Sequence, residues 1–310
     1  MPLHLDYRPD TLDEFIGNEE LKATLGAILE SSDRPRVFLF AGPRGCGKST
    51  LAGIIAKAVN CSSFDFRKIN LSSDRGIDVA RELEFNALHY PMSGSFKVYL
   101  LEEAHGGTPA FYECMLDILE HTPPHTIFVL CTTQPEKLKD TVHDRCTRFD
   151  VRPLRASEIR LLLKRVLEKE GVSTFPDTAI TKISQSCQGS PRKALVLLNK
   201  VIDIADDDLV LKVLEEDVIE EVTTQELVEI LLRKGTPKEV AKVLTILQDK
   251  NPETIRRAVL GYCNKKFLAT GSIRAAIVME AFSSPFYETG PAGLSIACCQ
   301  CVVGEINENQ

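Results

Sequence analysis

Short apolar segments alternate with amphipathic stretches through the first half of the chain. Segments rich in β-branched and aromatic residues predict strands, and apolar residues at helical spacing predict helices. The candidate strands are residues 36–41, 66–70, 97–102, 126–131 and 147–151, and the candidate helices are residues 18–31, 48–60, 76–89 and 108–120. The connections between strands are long enough for the chain to return in the same direction. The pattern therefore predicts an α/β domain built on a parallel sheet.

After Pro153 the strand signal fades, and the signals of helix starts replace it. Thr223 and Glu226 have the spacing of a capping box, and proline follows both Thr236 and Asn251 at the first helical position. The acidic segment before Thr223 is a candidate boundary between two helical parts. We expect three domains, which cover residues 1–152, 153–221 and 222–310.

The composition is that of an ordinary globular protein. Of the 310 residues, 44% are hydrophobic and 26% are charged. No segment has the roughly 18 uncharged apolar residues that a membrane span requires, and the first residues lack the features of a secretory signal. We therefore expect a cytoplasmic protein that is not attached to a membrane. Its cysteines are then reduced thiols, and the cluster Cys298, Cys299 and Cys301 lacks the second ligand pair of a structural zinc site.

The formal net charge of −7 argues against a protein covered in positive charge. Much of the acid lies in residues 203–209 and 214–221, where we expect a solvated helix face and a linker. Attraction to phosphate depends on the local placement of lysine and arginine, so the net charge does not exclude a nucleic-acid partner.

The strongest chemical signal is the segment GPRGCGKST, which follows the first predicted strand and precedes a predicted helix. It matches G-x-x-x-x-G-K-[ST], a loop whose backbone N–H groups surround the phosphates of a nucleotide. In this pattern Lys48 places a positive charge at the β and γ phosphates, and the hydroxyl of Ser49 is a ligand of Mg²⁺. The predicted nucleotide-binding residues of this loop are Gly42, Pro43, Arg44, Gly45, Cys46, Gly47, Lys48, Ser49 and Thr50.

Two carboxylates at the end of the predicted strand 97–102 can supply the remaining chemistry. Because the carboxyl ends of parallel strands face the phosphate loop, Glu102 is a candidate metal ligand and Glu103 a candidate group for orienting the attacking water. An acidic pair at a strand end is otherwise often solvated surface, and the phosphate loop upstream favours the functional interpretation. His105 has no partner at metal-ligand spacing, and we expect it to be structural.

Several segments in a fixed order resemble the AAA+ clamp-loader ATPases, namely the small subunits of replication factor C and the bacterial tau/gamma subunit. The matching segments are DYRPDTLDEFIGNEEL, LFAGPRGCGKSTLAGIIAKAVNC, NLSSDRGIDVAREL, FKVYLLEEAH, IFVLCTTQPEKL, DRCTRF and GSPRKALVLLNKV. Together they extend from Asp6 to Val201, and the rest of the chain carries no comparable signature.

The resemblance implies roles for individual residues. Thr133 would sense the γ-phosphate, Arg192 would contact the nucleotide from the second domain, and Arg145 would reach the ATP of a neighbouring subunit. A fixed guanidinium can neutralise the γ-phosphate without a proton transfer. The residues that would surround the adenine are Tyr7, Arg8, Pro9, Ile16 and Gly17. The catalytic residues are then Glu103, Lys48, Thr133, Arg145 and Arg192.

The resemblance also implies an architecture and a function. It predicts a AAA+ P-loop ATPase domain at residues 1–152, a helical lid at 153–221 and a C-terminal helical collar for oligomerisation at 222–310. The protein would be an ATPase subunit of a DNA polymerase clamp loader, which uses ATP and Mg²⁺ to open a sliding clamp and load it onto primer-template DNA. The implied partners are the other subunits of a homo- or hetero-pentamer, the clamp and the DNA.

Ser72, Ser73 and Arg75 are the candidate DNA contacts. They lie where a helix is predicted to begin after the second strand, and hydroxyls and an arginine at a helix N-terminus suit phosphate oxygens. Local chemistry alone fits equally well an ordinary helix start that is capped by Ser73 or Asp74.

Two departures from the family pattern leave alternatives open. Glu102 stands where the acid pair usually begins with aspartate, which favours an ATP-binding scaffold with weak hydrolysis as one alternative. Asp144 stands where serine is common before the arginine, and its carboxylate could hold Arg145 until a partner docks. A further alternative is another DNA-remodelling AAA+ ATPase, such as a branch-migration motor, although such proteins usually carry a different C-terminal module.

Overall fold

The computed structural model describes residues 2–172, 174–248 and 250–303, apart from the side chains of residues 215–222. Its contacts divide the chain into two compact units, Met1–Val210 and Leu211–Gln310. The division into three domains that we expect from the sequence remains a proposal. None of the described helices is long and apolar enough to cross a membrane.

The first unit is built on a five-stranded sheet in which all neighbouring strands are parallel. The order across the sheet is β2-β3-β4-β1-β5, so β4 lies between β1 and β3. The parallel α/β sheet that the sequence predicts is thereby confirmed. The strands are β1 (Val37–Ala41), β2 (Phe66–Asn70), β3 (Lys97–Glu102), β4 (Thr126–Thr132) and β5 (Thr147–Asp150).

Helices cover both faces of this sheet, because successive side chains of a strand point to opposite faces. Phe38 and Phe40 of β1 enter one hydrophobic core, and Val37 and Leu39 enter the other. The helices that begin in this unit are α1 (Leu3–Asp6), α2 (Glu19–Glu30), α3 (Lys48–Ala58), α4 (Ile77–Leu88), α5 (Pro109–Glu120), α6 (Asp140–His143), α7 (Ala156–Lys169), α8 (Asp177–Ser186), α9 (Pro191–Val201) and α10 (Asp207–Arg233).

The opening segment of the chain, residues 2–18, is fixed to the end of β5. Asn18 donates from its side-chain amide to the carbonyl of Arg152 over 3.2 Å and accepts from the N–H of Arg152 over 2.9 Å. The N–H of Leu3 donates to the side chain of Asn199 in α9 over 3.2 Å. Arg152 also forms two hydrogen bonds, of 2.8 and 2.6 Å, with the carboxylate of Glu158 in α7. These contacts hold the opening segment, the end of the sheet and the helices after it together.

The second unit is helical, with its described residues arranged around one hydrophobic core. The capping box at Thr236 forms, since its hydroxyl accepts from the N–H of Glu239 and the Glu239 carboxylate accepts in return. The helix start that the sequence predicts at Thr223 is wrong, because α10 continues through this residue; the preceding glutamates are good helix formers. The following helices are α11 (Pro237–Ile246), α12 (Pro252–Thr270), α13 (Ile273–Ala281) and α14 (Gly290–Val303).

Candidate nucleotide-binding site

The loop between β1 and α3 carries the phosphate motif, and two of its glycines have no room for a side chain. A Cβ atom on Gly42, whose φ is 154°, would lie 2.2 Å from the carbonyl oxygen of Val151. A Cβ atom on Gly47, whose φ is 99°, would lie 2.7 Å from the ring of Phe15. Only glycine adopts such a conformation at little cost, so the motif is needed for the path of this loop.

Lys48 and Ser49 begin α3 directly after this loop. The ammonium group of Lys48 donates to the carbonyl oxygens of Gly42 and Pro43, both over 2.7 Å, and burial lowers the pKa of Lys48. The hydroxyl of Ser49 donates to the carboxylate of Glu102 at the end of β3. The two residues that the sequence predicts as metal ligands are therefore in direct contact.

Glu102 is also paired with a lysine. The ammonium group of Lys68, in the neighbouring strand β2, lies 2.9 Å from the second carboxylate oxygen of Glu102. Burial acts to raise the pKa of Glu102, but the hydrogen bonds from Ser49 and Lys68 outweigh it and lower the pKa below its ordinary value. Glu102 is therefore ionised at neutral pH, as a metal ligand must be.

Glu103 follows at the tip of β3 in a left-handed backbone conformation, with a φ of 49°. The hydroxyl of Thr133 donates to Oε2 of Glu103 over 3.3 Å. His105 also faces this carboxylate, with Nδ1 at 3.6 Å from the same oxygen and at 3.0 Å from the hydroxyl of Thr132. Burial lowers the pKa of His105, so its ring is neutral at pH 7. The structure thus brings Glu103 and Thr133 together, as expected for residues that act on one group.

A cavity of about 610 Å³ opens beside the phosphate loop. Arg192 and Leu195 of α9 line it from one side, and the acid pair Glu102 and Glu103 lies on its wall. The other predicted site residues that line it are Arg44, Gly45, Cys46, Gly47, Lys48, Ser49, Thr50, Tyr7, Arg8, Pro9, Ile16 and Ser72. Its volume is within the range of small-ligand sites.

The opening segment, which lines this cavity, is held by hydrogen bonds of two side chains. The hydroxyl of Tyr7 donates to the carboxylate of Glu170 over 2.5 Å, which raises the pKa of Tyr7 to about 12. The guanidinium of Arg8 donates to the carbonyl of Ser49 over 2.5 Å and to the hydroxyl of Thr50 over 3.3 Å. The side chain of Arg8 therefore connects the opening segment to α3, and that of Tyr7 connects it to Glu170 at the end of α7.

Some predicted residues lie outside the lining of the cavity: Gly17, Gly42, Pro43, Thr133, Arg145, Ser73 and Arg75. A Cβ atom on Gly17 would meet the side chain of Leu154 at 2.6 Å, so this glycine is required by packing against the segment before α7. Arg145 forms an ion pair with Glu120 at the end of α5, and its side chain is 26% exposed. The carboxylate that holds the guanidinium is therefore not that of Asp144.

The candidate DNA contacts lie between β2 and α4. The hydroxyl of Ser73 donates to the carbonyl of Asn70 and to the carboxylate of Asp74, over 3.1 and 2.9 Å. Because α4 begins only at Ile77, these residues form a turn before the helix and do not cap it. The turn stands next to the cavity, since Ser72 and Asn70 line the cavity wall.

Three kinds of site residue could not be identified from the sequence. Nothing in the sequence indicates that Lys68 is a site residue, because a lysine in a short strand is commonly exposed to solvent. His105 was expected to be structural, yet its ring faces Glu103. Several apolar residues of the cavity were also missed, because an apolar side chain in the sequence indicates only a place in the core: Phe15, Leu154, Leu162 and Leu195.

The residues present fit a nucleoside triphosphate with a divalent cation. Lys48, Arg8 and Arg192 supply positive charge, whereas Ser49 and Glu102 supply oxygen ligands for a hard cation. The described residues contain no group of three or more histidine, cysteine, aspartate or glutamate side chains that could hold a metal by themselves. A magnesium ion, which prefers one or two carboxylates together with phosphate oxygens and water, suits such a site.

The five-stranded parallel sheet, the phosphate loop after β1 and the acid pair after β3 define a P-loop domain of the AAA+ class. A family model described as "DNA polymerase III, delta subunit" matches residues 64–155. The chain is 32% identical over 230 residues to "DNA polymerase III subunit gamma/tau" of Mycobacterium tuberculosis, a match that covers 67% of this chain and 40% of that protein. It is 28% identical over 286 residues to "DNA polymerase III subunit tau" of Bacillus subtilis, which covers 84% of this chain and 50% of that protein. The resemblance to clamp-loader AAA+ subunits is thereby confirmed, although the chain spans half or less of the length of these relatives.

Solved structures of RuvB from Thermotoga maritima also resemble the chain. A variant of RuvB is 26% identical with a TM-score of 0.57, over 68% of this chain and 73% of that chain. A structure described as the RuvB Holliday junction branch migration motor is 24% identical with a TM-score of 0.59, over 74% of this chain and 82% of that chain. These structures agree with the AAA+ fold.

Proposed function

We propose that the protein is an ATPase subunit of a DNA polymerase clamp loader, which uses ATP and Mg²⁺ to open a sliding clamp and load it onto primer-template DNA. The observation that carries this proposal is the cavity, where the phosphate loop and the acid pair face Arg192 of α9. The similarity to gamma/tau subunits of DNA polymerase III supports the particular task. The other subunits of a pentamer, the clamp and the DNA are the proposed partners.

In this proposal the phosphate loop and Lys48 hold the triphosphate, and Ser49 and Glu102 hold the magnesium ion. The ion, when bound, would neutralise charge on the β and γ phosphates. Glu103 orients the attacking water, and its own position is fixed by the hydroxyl of Thr133 at 3.3 Å. The opening segment and the apolar wall of the cavity enclose the base.

Arg192 gives the nucleotide a link to the helices after the sheet. It lies in the first turn of α9, beyond the boundary that we propose at residues 152 and 153. A triphosphate in the cavity would therefore contact both the sheet domain and the helical lid. The negative charge of the triphosphate attracts Arg192 only while the nucleotide is bound. The nucleotide state can therefore change the position of the lid.

An exposed apolar surface near α4 supports a protein partner. We define the α4 surface by side chains that are between 59% and 85% exposed: Phe64, Phe85, Leu88, Tyr90 and Met92. The carboxylate of Asp65 organises it by accepting from the N–H groups of Met92 and Ser93 over 2.8 and 2.9 Å. Large exposed apolar residues that are grouped in this way are typical of an interaction site, and we propose that the clamp binds here.

The test is the ATPase rate of the assembled complex, measured with clamp, with primer-template DNA, with both and with neither. We expect the two partners together to stimulate hydrolysis more than either alone. An identical rate under all four conditions contradicts the clamp-loader proposal.

A second candidate is a branch-migration motor, which the similarity to RuvB structures favours. The described part of the second unit contains helices only, whereas we associate such motors with a C-terminal module that includes strands. Stimulation of the ATPase by four-way DNA junctions, and not by clamp with primer-template DNA, would support this candidate instead. An ATP-binding scaffold with weak hydrolysis is distinguished by replacement of Glu103, as described below.

A further inference from the structure

We infer that Glu120 is a positioning residue for Arg145, and that it orients the guanidinium which Arg145 offers to the nucleotide of the neighbouring subunit. This inference rests on the proposed function, because only an assembled complex presents a second nucleotide to Arg145. Glu120 is the last residue of α5, and it lies 25 positions before Arg145 in the chain.

The contacts of Arg145 leave part of the guanidinium available. Its Nε donates to Oε2 of Glu120 over 3.1 Å, one terminal nitrogen donates to the same oxygen, and the other donates to the carbonyl of Thr141 over 2.8 Å. A guanidinium has five N–H groups, so two remain for an anion. The arrangement therefore fixes the plane of the group and still permits a contact with phosphate.

Both partners are attached to rigid parts of the first unit. Ile118 and Leu119, directly before Glu120, are buried in the core under the sheet. On the other side, Val142 of α6 is fully buried, and the ring of His143 lies 2.9 Å from the carbonyl of Pro135. The ion pair between Glu120 and Arg145 therefore connects α5 to the segment that follows Thr133. Because both backbone segments are held by buried neighbours, the two side chains keep their relative geometry.

The position of Glu120 is unfavourable for α5 itself. The C-terminal end of a helix carries partial negative charge, which repels an acidic side chain in the last turn. Thr122 already satisfies free carbonyls at this end, since its hydroxyl donates to those of Ile118 and Leu119. Glu120 thus adds nothing to the helix end, and the interaction with Arg145 is the contact that its carboxylate makes.

The same contact is too weak to withhold Arg145 from a nucleotide. The two side chains are 26% and 53% exposed, and an ion pair exposed to this degree contributes little free energy. A triphosphate carries several negative charges and would compete well for the guanidinium. The main effect of Glu120 is therefore to reduce the number of rotamers of a flexible side chain before the neighbouring subunit docks.

The experiment compares Glu120→Ala, Glu120→Gln and Arg145→Ala in the full complex, with kcat and KM for ATP measured in the presence of clamp and primer-template DNA. We expect Glu120→Ala to lower the stimulated kcat by about two- to tenfold, the effect of ordering one side chain, with little change in KM. Glu120→Gln should restore most of the rate, because its amide oxygen still accepts from Arg145. In the Arg145→Ala background, Glu120→Ala should have no further effect.

Glu113→Ala is the matched control. Glu113 also projects from α5 and forms an exposed ion pair, with Lys139 at 3.6 Å, but it does not contact Arg145. We expect its kcat to equal that of the unmodified complex. An equal loss in Glu113→Ala would indicate a general disturbance of α5 and overturn the inference.

The remaining outcomes separate this inference from the proposed function. If Arg145→Ala abolishes stimulation while Glu120→Ala has no effect, the positioning role is wrong and the proposed function stands. A faster rate in Glu120→Ala would mean that the carboxylate restrains Arg145, which also overturns the inference. If Arg145→Ala itself leaves the stimulated rate unchanged, the role of Arg145 across a subunit boundary is wrong, and the positioning role is lost with it.

Discussion

Ser49 at the start of α3 donates its hydroxyl proton to Glu102 at the end of β3. The contact joins the two elements that a P-loop protein uses to hold a metal ion, and it forms although Glu102 has one methylene more than the aspartate common in the family. The longer side chain can therefore reach the Ser49 hydroxyl from the strand end. This geometry weakens the argument for a scaffold with little hydrolysis, which depended on the glutamate alone.

Replacement of Glu102 should change the requirement for magnesium. In Glu102→Gln the carboxylate charge is lost while the shape and one oxygen remain. We expect the Mg²⁺ concentration for half-maximal ATPase activity to rise by at least about tenfold, in line with the loss of metal affinity when supporting groups are changed. The measurement is a magnesium titration of the ATPase rate at saturating ATP. An unchanged titration curve would mean that Glu102 is not a ligand of the ion.

Replacement of Glu103 should separate hydrolysis from binding. Glu103→Gln keeps the hydrogen-bond acceptor for Thr133 but cannot act as a base, so we expect kcat to fall by about 10²- to 10⁴-fold. Binding of a fluorescent ATP analogue should change little. Thr133→Val, which removes only the hydroxyl at 3.3 Å from the carboxylate, should lower kcat by a smaller factor. An unchanged kcat in Glu103→Gln would support the alternative of an ATP-binding scaffold with weak hydrolysis.

The α4 surface should govern binding of the clamp and not the basal rate of hydrolysis. Truncation of an anchoring aromatic residue in an interface often costs 2 kcal/mol or more, so Phe85→Ala and Tyr90→Ala should each raise the Kd for the clamp by roughly 30-fold. Leu161→Ala provides the control, because Leu161 is also a large apolar residue that is 53% exposed, but it belongs to α7 and not to the α4 surface. If the control weakens clamp binding equally, or if neither variant weakens it, the clamp does not bind at this surface.

Glu158 should make the stability of the first unit depend on pH. Its hydrogen bonds with Arg152 lower the pKa of this carboxyl to about 2, from an ordinary value of 4.5. A depressed pKa stabilises the folded state above the unfolded pKa, and this stabilisation is lost as the pH falls from about 4.5 to about 2. We expect Glu158→Gln to lower the Tm by about 2–4 °C at pH 7, which corresponds to about 1 kcal/mol.

The same substitution should have a clearly smaller effect at pH 2.5, where most of the contribution of Glu158 has already disappeared. Thermal unfolding followed by circular dichroism at the two pH values provides the comparison. A difference in Tm that is the same at both values would show that the Glu158 side chain stabilises by packing and not through its charge.

Local patterns were sufficient to predict the sheet and the phosphate loop. Alternating apolar segments such as residues 36–41 predict strands because their side chains must be buried on both faces. The phosphate loop is defined by eight consecutive residues, and the acid pair by its position at a strand end. Each of these features is formed by residues that are neighbours in the sequence, and a sequence pattern can therefore predict it.

Contacts between distant residues could not be predicted in this way. Glu120 and Arg145 meet because α5 and α6 pack side by side, and Lys68 meets Glu102 because β2 is registered against β3. At Thr223 the local capping pattern was present, yet the surrounding residues continue α10. Each of these outcomes depends on packing, which local propensity does not determine.

The side chain of Asn18 has a consequence for the open edge of the sheet. It binds both the N–H and the carbonyl of Arg152, just beyond the edge strand β5, in the way that another strand would. Free backbone groups along an edge strand invite pairing with other chains and thereby aggregation. Asn18 occupies two such groups, and the charged pair Arg148 and Asp150 lies on β5 itself, with 2.8 Å between guanidinium and carboxylate. The opening segment thus hinders intermolecular strand addition at this end of β5.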